Sequence, residues 1–314
     1  MSQYLPSGWR NSRVRVECKD RSNILNMPNL EDLIMNNRRQ FLRAAALGSV
    51  GLACWKGFEP SISARKLSKI GLQLYTVRNE MQKDFEGTLA KVAAIGYQQV
   101  EFAGYFNRTP QQVKDELVKN KLEAPSVHVP LQDLRTNLSK AVETTQAVGH
   151  KLAICPFVMP QDRKSLDDYR GIAATLNKAA AAFKAAGIEF GYHNHDFEFQ
   201  PLDGKLPMDI LLAETDPKLV KLELDLYWVV KAKQDPLAFM TKNPGRVVAF
   251  HVKDMAKDKE IFAEVGRGRI DFKPLLAHGA KTGVKYYFVE QDQCPGSPLD
   301  SIKISFDYLK DLNF

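Results

Sequence analysis

From residue 69 onward the chain alternates short apolar runs with longer stretches of helical spacing, and this alternation restricts the fold more than any other feature. Apolar runs of strand length stand at 70–75, 98–103, 124–129, 151–157, 188–195, 221–226, 247–252 and 285–291. Between them, residues 84–95, 109–120, 138–148, 165–186 and 236–242 repeat apolar side chains three and four apart, the period of a helix with one buried face. Gly96, Gly149, Gly187 and Gly283 stand where such helices should stop before the next strand. Eight strands alternating with helices predict an α/β fold of the (β/α)8 TIM barrel type, a single domain over 69–314. A doubly wound open sheet is disfavoured, because Gln73-Leu74-Tyr75-Thr76 after the first strand has no glycine-rich turn to cradle a phosphate.

The first 64 residues follow other rules. Residues 1–34 show no periodicity and read as a disordered or non-native extension, with Met35 as the expected start. Residues 35–64 read as a twin-arginine signal segment: Arg38-Arg39, then Phe41-Leu42, a weakly apolar stretch, and small residues Ser61, Ser63 and Ala64 for cleavage. That reading predicts a periplasmic protein; the competing one is an amphipathic N-terminal helix. Of the formal charge of +7, residues 1–64 hold +4 and the barrel region only +3, with no basic run, which argues against a nucleic-acid partner. No apolar run reaches the length of a membrane span. Cys155 and Cys294 fall about half the fold apart, too far for a disulfide, and no cysteine spacing suits a zinc–thiolate site.

In a barrel, polar residues at the C-terminal ends of the strands converge on one mouth. Taken strand by strand these are Gln73, Glu101, His128, His193 with His195, Asp225, His251 with Lys253, and Glu290 with Asp292. Carboxylate and imidazole donors together suit a divalent ion such as Mn, Zn, Co or Mg. Asp225 interrupts an apolar strand, where a carboxylate must be paired, protonated or metal-bound; a structural ion pair with Lys221 or Lys231 is the plain alternative. His251 follows Val247-Val248-Ala249-Phe250 and is either a ligand or a core histidine bonded to backbone. Of His193 and His195, one is expected to ligate and the other to bind substrate or relay protons. Lys253 either neutralises an oxyanion or pairs with Asp254. Gln73, Glu101, His128 and Trp228 are expected to contact substrate. Tyr75, Tyr105, Phe106, Phe197 and Trp228 offer aromatic faces for the mouth.

The motifs GLQLYTVR, VEFAGY, YHNHDFEF, LDLYW, HVKD, EVGRGRIDF and VEQD, in this order, resemble the sugar phosphate isomerase/epimerase family with its xylose isomerase-like barrel. The resemblance covers 69–314 and implies a divalent metal held by Glu, Asp, His and Glu from strands five to eight. By motif, Asp225, His251 and Glu290 match the last three ligands. His193 stands where many relatives have the first glutamate, as in the branch near inosose dehydratase. It keeps a ligand and a base while removing one negative charge and raising the reference pKa from about 4.3 to about 6.5.

The resemblance implies an isomerase or epimerase of a sugar or keto-sugar, working by proton abstraction next to a metal-bound carbonyl, with His193, Glu290 and Lys253 as the catalytic groups. A lyase, either a dehydratase or a keto-glycoside eliminase, needs the same residues for its first half. A non-catalytic sugar-binding barrel is the third reading. The expected partner is a small-molecule carbohydrate, and a homo-oligomer is left open.

Overall fold

A computed structural model describes residues 65–314. The expected extension and export signal at 1–64 lie outside the described residues. The strands β1 (Gly71–Gln73), β2 (Gln99–Phe102), β3 (Glu123–His128), β4 (Leu152–Cys155), β5 (Glu189–His193), β6 (Val220–Asp225) and β7 (Val247–Val252) pair in parallel with their neighbours. After a separate antiparallel ribbon of β8 (Asp254–Met255) and β9 (Phe262–Ala263), β10 (Tyr286–Val289) pairs with both β7 and β1 and closes an eight-stranded barrel. This is the expected TIM barrel, with each strand centred on its apolar run.

Period-two alternation sorts each strand's side chains between the barrel interior and the helical shell. On β5, Phe190 stacks on Phe183 of the helix Leu166–Ala185 at a centroid distance of 5.4 Å. That helix starts where Ser165 and Asp168 form a capping box, and it buries Tyr169, Ile172, Ala173, Leu176, Ala180 and Phe183 along one face. Each large apolar side chain so buried stabilises by about 1.5–3 kcal/mol. Inside the barrel, Leu152, Ile154, Val248, Ala249 and Phe288 form a small apolar plug. Gly71 makes room for it, since a Cβ there would lie 2.4 Å from the Phe288 ring. The apolar plug stops short of the C-terminal end, and the next interior layer is polar.

Gly96, Gly149 and Gly283 cap their helices at φ of 120°, 100° and 94°, and Gly187 follows the end of Leu166–Ala185 at 75°. The structure also contains helices that apolar spacing had not marked, among them Arg78–Lys83, Leu131–Thr136, Pro207–Glu214, Leu226–Lys231, Phe272–Thr282 and Pro298–Asp311. Arg78–Lys83, Leu131–Thr136 and Leu226–Lys231 have six residues each, less than two turns, too short to display a period. Cys155 is buried and unpaired, and Cys294 is also free.

Candidate active site

Strand register assembles the polar layer. His193 on β5 lies beside Glu223 on β6, Asp225 on β6 beside His251 on β7, and Gln73 on β1 beside Glu101 on β2. His193, Asp225, His251 and Glu290, the four residues expected to hold a metal, present one ligand atom each within 4.8 Å of one another, all buried. His193 Nε2 is 3.7 Å and His251 Nδ1 is 3.9 Å from Asp225 Oδ2, and His251 Nδ1 is 2.8 Å from Glu290 Oε2. Asp225 also caps the helix Leu226–Lys231, its Oδ1 accepting from Trp228 N–H at 3.0 Å, so the strand end and the next helix start are fixed by one side chain.

Lys253 Nζ lies 3.0 Å from Asp225 Oδ2, 2.6 Å from Glu290 Oε2 and 3.1 Å from Asp292 Oδ1. The partner of Asp225 is therefore neither Lys221 nor Lys231. Asp254 is also no partner of Lys253, because its carboxylate accepts backbone N–H groups from Met255, Gly266, Gly268 and Ile270. Three carboxylates around one buried ammonium leave an excess of negative charge, which the charged imidazole of His251 beside Glu290 offsets only in part. Asp225 Oδ2 is buried and has the Lys253 ammonium 3.0 Å away as its charged partner, and burial pushes this carboxyl up to about 6, against the pull of Lys253. The donor set and this charge excess fit a divalent ion such as Mn, Zn, Co or Mg held by His193, Asp225, His251 and Glu290.

Burial opposes a charge on His251, but Glu223 and Glu290 outweigh it and hold the imidazole well above its usual range. A metal ligand must be neutral, so metal uptake here would release that proton. Burial pushes His193 the other way, well below its usual range, with His251 and His195 adding to the effect.

A cavity of about 520 Å³ opens above this layer, lined by Tyr75, His128, Pro130, Pro156, Phe157, His195, Lys253, Glu290 and Asp292 among others. His195 lies beyond the end of β5, its ring 4.9 Å from that of His193 and packed against Phe157, Phe197 and Trp228. Its Nδ1 is buried without a partner, and burial, helped by Lys253, lowers its pKa to about 3, so the ring is neutral. The loop is held by Glu198, whose carboxylate accepts from His195 N–H at 2.8 Å and from the Tyr192 hydroxyl. Burial raises Glu198 to about 7. His128 has the opposite character. Burial disfavours its charge, but Glu101 and Glu223, 3.2 Å and 3.0 Å from Nε2, raise it to about 9.

Several expected contacts lie elsewhere. Gln73 and Glu101 are sealed beneath the cavity, where Glu101 Oε2 sits 2.7 Å from both Gln73 Nε2 and His251 Nε2. A small molecule in the cavity meets His128 before either of them. Trp228 stands behind His195 rather than on the cavity wall. Of the other aromatic residues expected at the mouth, Tyr75 lines the cavity, Tyr105 packs against His150, and Phe106 packs against Phe85. Phe157, not anticipated, takes a place on the wall. Glu223 was also not anticipated. It precedes Asp225 by two residues in the run LELDL, so alternation alone puts both on the interior face.

A family model described as the xylose isomerase-like TIM barrel matches residues 89–312. Inosose dehydratase of Lactiplantibacillus plantarum is 24% identical over 262 residues, covering 71% of this chain and 86% of that protein. Inosose dehydratase of Clostridium perfringens is 27% identical over 270 residues, covering 73% and 90%. A solved sugar phosphate isomerase/epimerase from Parabacteroides distasonis shares 27% identity and a TM-score of 0.69, covering 78% of this chain and 98% of that one. With a closed parallel barrel, its polar layer at the C-terminal strand ends and a family match over most of its length, this chain belongs to the xylose isomerase-like TIM barrel family.

Proposed function

We propose that this barrel is a divalent-metal-dependent lyase of the dehydratase type, acting on a keto-sugar or related cyclic polyol. The observation that carries the reading is the pair of imidazoles facing one cavity: His195 with an unpartnered Nδ1, and His128 held against two carboxylates. Groups whose surroundings drive them to opposite protonation states are suited to base and acid roles in one reaction. His195, neutral and on the cavity wall, accepts the proton from the carbon next to the carbonyl, and His128 gives one to the departing oxygen. Lys253 Nζ places a positive charge where the carbonyl oxygen becomes anionic, and Glu290 and Asp292 fix its position. His193, Asp225, His251 and Glu290 would hold the ion, which when bound supplies Lewis-acid stabilisation of that same developing charge. On this assignment His193 ligates, as a member of the buried four-residue group, and His195 does the proton transfer.

The names of the curated relatives support elimination of water. The second reading is an isomerase or epimerase, favoured by the carboxylates of Glu290 and Asp292 on the cavity wall, which could return the proton to carbon. Product mass separates the two. Loss of water or an alcohol from a keto-sugar supports the lyase, whereas an unchanged mass with solvent deuterium on carbon supports the isomerase. Absence of both, with the sugar still bound, leaves a binding barrel. His195→Gln should lower kcat by about 10²- to 10⁴-fold with metal content unchanged, whereas His251→Ala should lose the metal.

We propose further that residues 35–64 act as a twin-arginine signal and that the mature protein is periplasmic. Protein recovered from the native periplasm with Arg38-Arg39 intact would overturn that.

A further inference from the structure

The two imidazoles of the four-residue metal group share one support. Glu223 is 0% exposed, and its Oε2 lies 3.2 Å from His193 Nδ1, 3.0 Å from His251 Nε2 and 3.0 Å from His128 Nε2. Among the described residues no lysine or arginine pairs with it. A buried carboxylate needs donors, and here the donors are imidazole nitrogens gathered on Oε2, while Oε1 is buried without a partner. Each metal-facing ring turns one nitrogen to Glu223 and the other to the upper group: His193 by Nδ1 below and Nε2 toward Asp225, His251 by Nε2 below and Nδ1 toward Glu290. A carboxylate only accepts, so without an ion both nitrogens of such a ring can carry hydrogens; once an ion sits on the upper side, the nitrogen facing Glu223 keeps its hydrogen and the upper one supplies its lone pair.

We propose that Glu223 is the positioning residue of the metal centre, fixing the tautomers of His193 and His251 together so that His193 offers Nε2 and His251 offers Nδ1 to the ion. Two strands make this geometry. On β6, Glu223 and Asp225 share the interior face one layer apart, and register sets Glu223 beside His193 on one side and the small Ala249 on the other. His251, two residues beyond Ala249, then leans over the carboxylate from above. Glu101 Oε2, 2.7 Å from His251 Nε2, supports one of the rings, whereas Glu223 reaches both. Carboxylates behind ligating imidazoles orient the ring and raise its basicity, and their loss weakens metal binding by about 10- to 100-fold.

This assignment rests on the metal reading above, and its test does not depend on turnover. Full-length protein stripped of metal is titrated with Co2+ and followed by its visible ligand-field bands, for wild type, Glu223→Gln and Glu223→Ala. Zn2+-loaded wild type and Glu223→Gln are compared by long-range proton–nitrogen NMR of the imidazoles. Expected are one Co2+ per chain in wild type, about 10- to 100-fold weaker binding in both variants with altered bands, and hydrogens on His193 Nδ1 and His251 Nε2 in wild type. Glu223→Gln keeps the volume, so its metal-free circular dichroism should match wild type; if Glu223→Ala unfolds, Glu223→Gln decides. Unchanged affinity and bands in a folded Glu223→Gln overturn the assignment, as do hydrogens on the opposite nitrogens. Two Co2+ per chain, one lost in Glu223→Gln, make Glu223 a ligand instead and also overturn it. Wild type that binds no Co2+ or Zn2+ overturns the metal reading itself.

Discussion

His150 shows at a single residue how burial becomes a pH dependence. Its Nδ1 is 2.6 Å from the Ala124 carbonyl and its Nε2 is 3.1 Å from the Tyr105 hydroxyl, and burial lowers its pKa to about 4. An exposed histidine in the unfolded chain titrates near about 6.5. The folded form therefore resists a proton that the unfolded form takes up, so the contribution of neutral His150 is complete above that value and is lost as pH falls from about 6.5 toward about 4. The slope reaches at most about 1.4 kcal/mol per pH unit. His150→Gln should lower stability at pH 7 yet flatten the acid limb, which urea unfolding midpoints at pH 7 and pH 5 would reveal; parallel curves for the two proteins would count against it. At this scale the metal group was legible because Asp225, His251 and Glu290 each interrupt an apolar run. Glu223 carries the same signal, but attention to strand ends alone passes over a residue one layer deeper.

The ribbon of β8 and β9 and the loop behind it show what one carboxylate can do for an element. Asp254 accepts from four backbone N–H groups, at 2.7 Å from Met255, 3.0 Å from Gly266, 2.9 Å from Gly268 and 3.1 Å from Ile270. The motif EVGRGRIDF is thereby folded around a buried anion next to Lys253. Gly268 must be small, since a Cβ would sit 2.1 Å from Asp254 Oδ1. Asp254→Ala leaves those donors without an acceptor and should cost about 2–4 kcal/mol, with the loop 256–270 becoming a preferred cleavage site. Limited proteolysis with mass mapping checks this, and cleavage spread evenly over the chain would refute it. Apolar spacing marks longer helices such as Leu166–Ala185, but not Leu226–Lys231, whose start is set by Asp225 accepting from Trp228 N–H. A helix of six residues has too little length to show a period, and its cap is a site residue.

Across the whole molecule, the metal group draws on β5, β6, β7 and the end of β10, half of the barrel wall. An ion bound there ties together strands far apart in the chain and stabilises only the folded form. At a hundredfold excess over its Kd this amounts to about 2.7 kcal/mol, or a rise in Tm of about 5–10 °C for a domain of this size. Calorimetry with and without chelator measures it, and His251→Ala should abolish the difference; an equal shift in that variant would place the ion elsewhere. Outside the sheet, Arg65 and Phe314 exchange backbone hydrogen bonds at 2.9 Å and tie the segment before β1 to the residues after the last helix. The sequence by itself determined the parallel barrel and marked His193, Asp225, His251 and Glu290, which the fold gathers into one buried group, because apolar period and isolated charge are local properties that survive without neighbours. Only the tertiary structure decided that Lys253 sits among the carboxylates, that Glu101 and Gln73 lie beneath the cavity, that His195 rather than His193 faces it, and that Glu223 serves three imidazoles. Those facts depend on the register between strands and on depth within the barrel, which arise only when the sheet closes on itself.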